Sequence, residues 1–348
     1  MSDIINCGLI GCGRVAPRHA QSFAELPDAR LVAVADVIET RAQRFAKEYR
    51  ADAYADYRRV LERRDVDTVS ICTPSGMHAQ MAIDAMQAGK HVIVEKPMAM
   101  NLRDADRMIA TAESCRVKLC VILQNRYNPP MQDLRRVVDE GKLGRLLLGN
   151  ATVRWYRPQE YYDDGWHGTW AMDGGALMNQ SIHHIDALQW LMGDVENVFA
   201  YTATLAHKME AEDIGVVALR FTSGALGTIE GSTVTYPENP EGSVAIFGER
   251  GSVKVGGTAL NRKVIWKIAG EVEHEIELLR REQLDPVSVY GTSHKFVIAD
   301  MLAALRENRA PRTNGIQARK SVALVLAIYE SARTGKPIQM TDEIWNGL

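Results

Sequence analysis

The chain lacks any C-x-x-C pair and any grouping of cysteine with histidine at ligand-like spacing, although it contains five cysteines, Cys7, Cys12, Cys72, Cys115 and Cys120. That argues against a cysteine-based metal site. They fall largely in apolar runs or beside a glycine turn, where a reduced thiol packs as a small apolar side chain. A surplus of one charge is missing too. With 41 basic and 44 acidic residues spread along the chain and a net charge of -3, no basic face for nucleic acid or anionic lipid is expected. The partner to expect is a small molecule. There is no apolar run long enough to span a bilayer and no secretion signal, since the first residues lead directly into a strand-like run, so a cytoplasmic protein is expected. Internal repeats and low-complexity segments are also absent.

At 348 residues the chain exceeds the size at which one hydrophobic core stops growing, so two domains are expected. In the first, 1–124, short apolar runs alternate with helical segments: Ile5 to Ile10, Arg30 to Asp36, Asp67 to Cys72, His91 to Glu95 and Lys118 to Ile122. That pattern describes a buried parallel sheet covered by helices. From 125 to 348 the character changes. Gly215 to Phe221 and Ala225 to Ser232 alternate apolar and polar residues about Thr222-Ser223-Gly224, as a largely antiparallel sheet does. Further strands are expected at Leu146 to Trp155, Val244 to Phe247, Lys263 to Ile268 and Glu273 to Leu278, with helices around Ala176 to Leu191, His294 to Glu307 and Gln317 to Thr334.

The chemistry begins at Gly11-Cys12-Gly13-Arg14-Val15-Ala16, a Gly-x-Gly-x-x-Ala turn between the first strand and a helical segment. Gly11 permits the tight turn, Gly13 lets the backbone approach a pyrophosphate, and Ala16 lets helix and strand pack closely. Asp36 ends the second strand 36 - 11 = 25 positions on, near the spacing expected of a carboxylate that grips the adenosine ribose. It would repel a ribose 2'-phosphate, which favours NAD over NADP, with Arg41 close enough in sequence to keep the alternative open. Thr73-Pro74-Ser75-Gly76-Met77-His78 follows the next core strand and should edge the same crevice. Glu95-Lys96-Pro97 closes the run from His91, putting a lysine at the carboxyl end of a parallel strand, where open sheets of this kind place their ligands. Beside a cationic nicotinamide ring, a partly desolvated lysine would polarise or deprotonate a hydroxyl.

A second candidate lies in Gly174 to Asp186. At about 100° per residue, Asn179, His183, Asp186 and Trp190 share one helical face, next to an apolar face of Met178, Ile182, Ile185 and Met192. His184 points away from His183, so a metal held by the adjacent pair is not expected. Before this helix, Trp155 to Trp170 mixes aromatics, Arg157 and small polar residues, suited to stacking on a base or sugar and pairing with a phosphate or carboxylate. An aromatic core plug or subunit contact would use the same residues. Gln124 to Pro129 lies at the expected domain junction, where a ligand cleft would form.

With Gly11-Cys12-Gly13, Glu95-Lys96-Pro97 and Gly174-Gly175 followed by His183-x-x-Asp186 in order, the whole chain resembles the Gfo/Idh/MocA oxidoreductase family. The resemblance implies an α/β protein: an N-terminal Rossmann NAD-binding domain and a C-terminal α/β domain with an open, largely antiparallel sheet that often mediates oligomerisation, here as a homotetramer. It implies catalysis by Lys96 and His183. Cofactor contacts are expected from Gly11, Gly13, Arg14, Val15, Asp36, Thr73, Pro74, His78 and Glu95. Substrate contacts are expected from Lys96, Arg126, Tyr127, Arg157, Trp166, Asn179 and His183, with no metal. Many members carry aspartate where this chain has Asn179, a departure from the inositol dehydrogenases. Around Trp166 to Trp170 and Asn179 to His184 the chain is most similar to the UDP-N-acetyl-2-amino-2-deoxyglucuronate 3-dehydrogenases, the WlbA/WbpB group. These make a 3-keto nucleotide sugar for bacterial surface polysaccharides, and some are described as recycling bound NAD with 2-oxoglutarate. The alternatives are oxidation of a free sugar or inositol, and an NAD-binding sensor without turnover.

Overall fold

Six short parallel strands form the first sheet of the computed structural model, which describes residues 4–271, 291 and 293–347. They are β1 (Ile5–Ile10), β2 (Ala29–Ala35), β3 (Asp52–Tyr54), β4 (Thr68–Ile71), β5 (His91–Val94) and β6 (Leu119–Val121), in the spatial order β3-β2-β1-β4-β5-β6. The order reverses between β1 and β4, and in an open α/β sheet the crevice outside the strand ends at that point takes the ligand. Leu9, Ile10, Val69, Ile71, Val92, Ile93 and Val94 are buried, as expected of strands covered on both faces. Helix α1 (Ala16–Glu25) follows the glycine turn, and α2 (Glu39–Tyr49) leads to β3. Next come α3 (Arg58–Leu61), α4 (His78–Gln87) and α5 (Leu102–Ser114). α5 starts on Asn101, whose side chain accepts a hydrogen bond from Asp104 N–H at 2.9 Å.

The chain divides into two compact units, 1–123 with 292–319, and 124–291 with 320–348. The second domain expected over 125–348 is therefore not continuous, since 292–319 belongs to the first unit. Counting described helices in order, with α6 (Pro129–Asp139) and α7 (Ile182–Met192) in the second unit, the returning helix is α8 (His294–Arg306). Its Val297, Ile298, Met301 and Leu302 are buried, each contributing on the order of 1.5–3 kcal/mol by leaving water. It packs on α1. Its one buried carboxylate, Asp300, accepts from Arg309 at 2.8 Å and from Arg312 N–H at 2.7 Å.

The second unit is built on an eight-stranded sheet in the order β13-β12-β11-β7-β10-β9-β8-β14. The strands are β7 (Leu146–Arg154), β8 (Val195–Ala203), β9 (Ile214–Phe221), β10 (Leu226–Ser232), β11 (Glu241–Gly248), β12 (Gly251–Gly256), β13 (Arg262–Ile268) and β14 (Ile338–Gln339). Every pairing is antiparallel except β7 with β10. One face is covered by α7 and the turn before it. The other face exposes Tyr201, Val216 and Leu226 and carries a charged ladder in which Arg154 bridges Glu230 and Glu241, and Lys254 pairs with Glu241. The strand expected at Glu273 to Leu278 lies outside the described residues. Among the described residues no helix is long and apolar enough to cross a membrane.

All five cysteines are free thiols, and all but Cys115 are buried. Burial pushes the Cys12 and Cys120 thiols up to about 12 and Cys7 higher still, so these three are unreactive packing groups. On the covered side of the second sheet, His184 is 1% exposed and stands edge-on to Trp155 at 5.8 Å. Neither ring nitrogen has a hydrogen-bond partner among the described residues, and burial pushes its pKa down to about 4. The folded protein therefore keeps this imidazole neutral where the unfolded chain, with an ordinary histidine near 6.5, takes up a proton. Its contribution is complete above that value and is lost as pH falls from 6.5 to 4. Denaturant melts should show stability declining across this window, and His184→Leu, which keeps apolar volume and removes the proton site, should flatten the decline.

Candidate active site

The glycine turn is shaped as its sequence requires. Gly11 has φ +89°, and a Cβ there would sit 2.7 Å from Cys72 O, so both conformation and close approach demand glycine. A Cβ on Gly13 would meet nothing within 4 Å, which leaves open space above the turn. Val15 stands at the N-cap of α1 without a side-chain cap, and the first turn has no acidic residue. Pro17 carries no N–H and Arg18 N–H donates to Val15 O at 2.9 Å, so what the start of this helix offers an anion is mainly the positive end of its dipole. Asp36 closes β2, and its carboxylate accepts from Cys12 N–H and from Ile38 N–H, both at 2.8 Å. Thr73, past the end of β4, has a buried hydroxyl with no hydrogen-bond partner among the described residues. An open glycine turn, an uncapped helix start, a carboxylate at the next strand end and an orphaned hydroxyl together fit a dinucleotide. Pro74 flanks that hydroxyl, and Arg14 and Arg41 are exposed.

Two residues expected at the cofactor turn inward. His78 is buried, with Nδ1 2.7 Å from Pro97 O and Nε2 2.9 Å from Thr73 O, so its ring ties the loop after β4 to the loop after β5. Burial pushes its pKa down. Glu95 is buried as well. Its Oε1 lies 2.8 Å from His19 Nε2 and 3.4 Å from His294 Nε2, and His19 Nδ1 is 2.6 Å from Ser70 Oγ. Desolvation alone would raise the Glu95 carboxyl, but the two imidazoles outweigh it and hold it well below the usual carboxylate range. Its other oxygen accepts from Lys96 N–H at 3.2 Å. Glu95 therefore fixes the backbone from which the half-buried Lys96 projects. His19, Ser70 and His294 lie far apart in the sequence, and nothing in their spacing reveals this shared contact.

In the second unit Ala176–Ser181 is a π-helical turn and α7 begins only at Ile182. A π turn rotates less per residue than an α turn, so the single polar stripe expected from Asn179 to Trp190 separates into parts. Asn179 donates to Asp173 Oδ1 at 2.6 Å and lies 3.4 Å from Tyr161 Oη. His183 Nε2 is 3.1 Å from Gln124 Nε2. Asp186 is buried and receives Arg126 bidentately, Nε and Nη2 each at 2.7 Å, with Ser321 as a further donor. Arg126, expected to offer its charge to a substrate, is instead a buried partner of Asp186 above the Trp190 ring, 5.3 Å from its centroid. Desolvating a guanidinium is tolerable only with such a counter-ion. Tyr127, beside it, is half-buried.

The aromatic loop gathers its members. Arg157 stands over Trp155 and Tyr161 at 5.1 and 5.6 Å, and the His167 ring lies 3.6 Å from Trp166 and 4.2 Å from Tyr161. Arg157 and Trp166 are half-buried, as ligand-contacting side chains would be.

Residues 5–123 match the oxidoreductase family profile described as an NAD-binding Rossmann fold, and 131–254 match the GFO/IDH/MocA C-terminal domain. The chain belongs to the GFO/IDH/MocA oxidoreductases. The WlbA dehydrogenase of Bordetella pertussis, solved in complex with NADH and UDP-GlcNAcA, is 40% identical with a TM-score of 0.92 over 98% of this chain and 99% of that one. The WlbA dehydrogenase of Chromobacterium violaceum, solved with the same two ligands, is 38% identical with a TM-score of 0.91 over 98% of each chain. Myo-inositol 2-dehydrogenase of Thermotoga maritima is 32% identical over 71% of this chain and 73% of its own length. As a GFO/IDH/MocA protein with this Rossmann unit, the chain is an NAD-dependent dehydrogenase.

Asp36, at the end of β2, is the candidate residue for the choice between NAD and NADP. Its charge opposes a 2'-phosphate, and like charges brought together cost several kcal/mol. Asp36→Ser should therefore narrow the preference for NAD over NADP by about tenfold or more, measured by titrating each cofactor into the purified protein. Equal binding of both by the parent chain would refute the assignment.

Proposed function

We propose that this dehydrogenase oxidises the C3 hydroxyl of UDP-N-acetyl-2-amino-2-deoxyglucuronate to the 3-keto sugar, a step toward bacterial surface polysaccharides such as lipopolysaccharide O-antigen. The observation that carries the reading is the full-length likeness to two WlbA dehydrogenases solved with NADH and UDP-GlcNAcA. The inositol dehydrogenase matches a shorter stretch at lower identity. The amide at Asn179, where many family members carry aspartate, supports the same choice.

Bound at the glycine turn, NAD supplies the hydride acceptor. Lys96 and His183 share the work on the C3 hydroxyl, one taking its proton and the other polarising it by hydrogen bonding. Glu95 steadies the Lys96 backbone, and Gln124 lies beside the His183 ring. Asn179, oriented by Asp173, holds the sugar. Arg157 and Trp166 supply cationic and planar partners for the nucleotide sugar. Arg126, committed to Asp186, acts by positioning α7. The open face of the second sheet, with Tyr201, Val216 and Leu226 exposed, supports assembly as a homo-oligomer, taken here as a tetramer in the cytoplasm, and 2-oxoglutarate would regenerate NAD in place.

Lys96→Ala and His183→Ala should each lower turnover at least about a hundredfold, the scale of a positioned acid or base, with NAD affinity nearly intact. Normal turnover by both variants would remove the catalytic assignment.

The substrate reading is checked by following C3 oxidation with 2-oxoglutarate present. UDP-N-acetylglucosamine, which lacks the carboxylate, should react far more slowly than the uronate. Equal oxidation of free inositol or glucose would overturn the nucleotide-sugar assignment and leave an NAD-dependent polyol dehydrogenase.

A further inference from the structure

The π-helical turn that carries Asn179 and leads into His183 does not begin on a cap of its own. Its first N–H groups are taken by Glu212, a residue 35 positions later in the chain. Ala176 N–H donates to the Glu212 backbone carbonyl at 2.9 Å, and Leu177 N–H donates to Glu212 Oε1 at 2.8 Å. Tyr329 Oη donates to the same Oε1 at 3.0 Å and lies 3.5 Å from Gly175 N. The carboxyl is pressed so closely on the turn that a Cβ at Gly175 would collide with it. The second oxygen, Oε2, is buried and has no hydrogen-bond partner among the described residues.

Three features mark this carboxyl as more than a cap. It is 2% exposed, it is shared between the turn and helix Gly315–Thr334, and half of its hydrogen-bonding capacity is unused. From these contacts we infer that Glu212 is a proton-dependent positioning residue. Its ionised form grips the start of the π-helical turn and sets the orientation of the segment bearing Asn179 and His183, and its protonated form loosens that grip.

The groups around it leave the proton balance open. Tyr329 faces it from the helix, Asp173 from the segment before the turn, and the Leu177 and Ala176 amides from the turn itself. Within its own loop, the Asp213 carboxylate is turned away to the Leu205, Ala206 and His207 N–H groups and the His207 ring, and Glu210 accepts from Trp170 N–H. Burial pushes the Glu212 carboxyl up to about 7, Asp173 adds to the rise, and the hydrogen bonds from Leu177 and Tyr329 oppose it. Since the folded protein binds this proton more tightly than an ordinary carboxyl near 4.3, stability should fall as pH rises from that value to about 7. Substrate binding should improve over the upper part of the same range.

The inference rests on the reading that Asn179 and His183 handle the sugar, and the experiment separates the two. Infrared difference spectra between pH 5.5 and 8.5 should show a carboxylic-acid carbonyl band, lost at the higher pH, that is absent from Glu212→Gln. This readout needs no substrate, and its absence from the parent chain overturns the inference whatever the substrate is. In steady state with the UDP-uronate, the parent should show KM about fivefold lower at pH 8 than at pH 6, the difference between a charge-assisted and a neutral hydrogen bond. Glu212→Gln should lose that dependence with kcat little changed. Tyr329→Phe, which deletes the hydroxyl that favours the ionised form, should move the transition to higher pH, and it serves as the test should Glu212→Gln fail to fold. Superimposable KM profiles for parent and Glu212→Gln refute the positioning role. Failure of the parent to oxidise any UDP-uronate refutes the substrate reading instead, and leaves the infrared result to decide the proton site.

Discussion

The second unit's functional helix depends on a buried charge that had to be answered. Asp186 lies inside α7 with almost no access to water, and an ionised carboxylate there is tolerable only with a counter-ion and further donors. Arg126 meets it with two parallel bonds, Ser321 adds a third, and Trp190 covers the guanidinium. The pair joins segments far apart in sequence, the turn at 124–127 and the helix 315–334, to α7. Two consequences follow locally. Gln124, two residues before the arginine, comes to rest beside His183, one turn before the aspartate. Removing either ion would strand the other in the core, which typically costs 3–5 kcal/mol.

The first unit meets the same physical demand differently. Glu95 is buried too, though less completely than Asp186, and its partners are imidazoles, from α1 and α8, rather than a guanidinium. The backbone of the next residue, Lys96, hangs from the carboxylate's second oxygen. The Lys96 side chain, which acts on the substrate in the proposed chemistry, is thereby mounted on a loop fixed from beneath, while the buried His78 ring, donating through one nitrogen, lies between this loop and the one after β4. In both units the residue that touches the ligand in the proposed chemistry stands next to one that touches only protein.

Much of this was legible in the sequence where local rules decide. Five strands of the first sheet and the glycine turn follow from apolar runs and from the steric needs of Gly11. β9 and β10 follow from strict alternation about a glycine turn. The rest depended on information that residue types do not carry. β8 was missed because a register shift between Val195 and Asn197 breaks its alternation. β12 was missed because it is short and bounded by glycines. The π-helical turn is a matter of which carbonyl each N–H selects, and Ala176 to Ser181 would suit an α-helix equally well. Arg126 read as a ligand cation because its sequence neighbourhood is polar, and only the fold shows that Asp186 claims it. Glu212 sits in an ordinary-looking stretch, Ala211-Glu212-Asp213, and gains significance from a glycine pair upstream.

The return of 292–319 to the first unit bears on how such proteins can be recombined. A Rossmann unit that ended near residue 124 could be exchanged between relatives by a single crossover, carrying its cofactor preference with it. Here α8 lies against α1 and contributes His294 to the group that holds Glu95, so the hereditary module is discontinuous. A chimera joined once would pair the first strands of one parent with the closing helix of another, and the mismatch would fall on the support of Lys96 rather than on the surface. Transplanting this unit intact takes three junctions, one near 123 and a pair flanking 292–319.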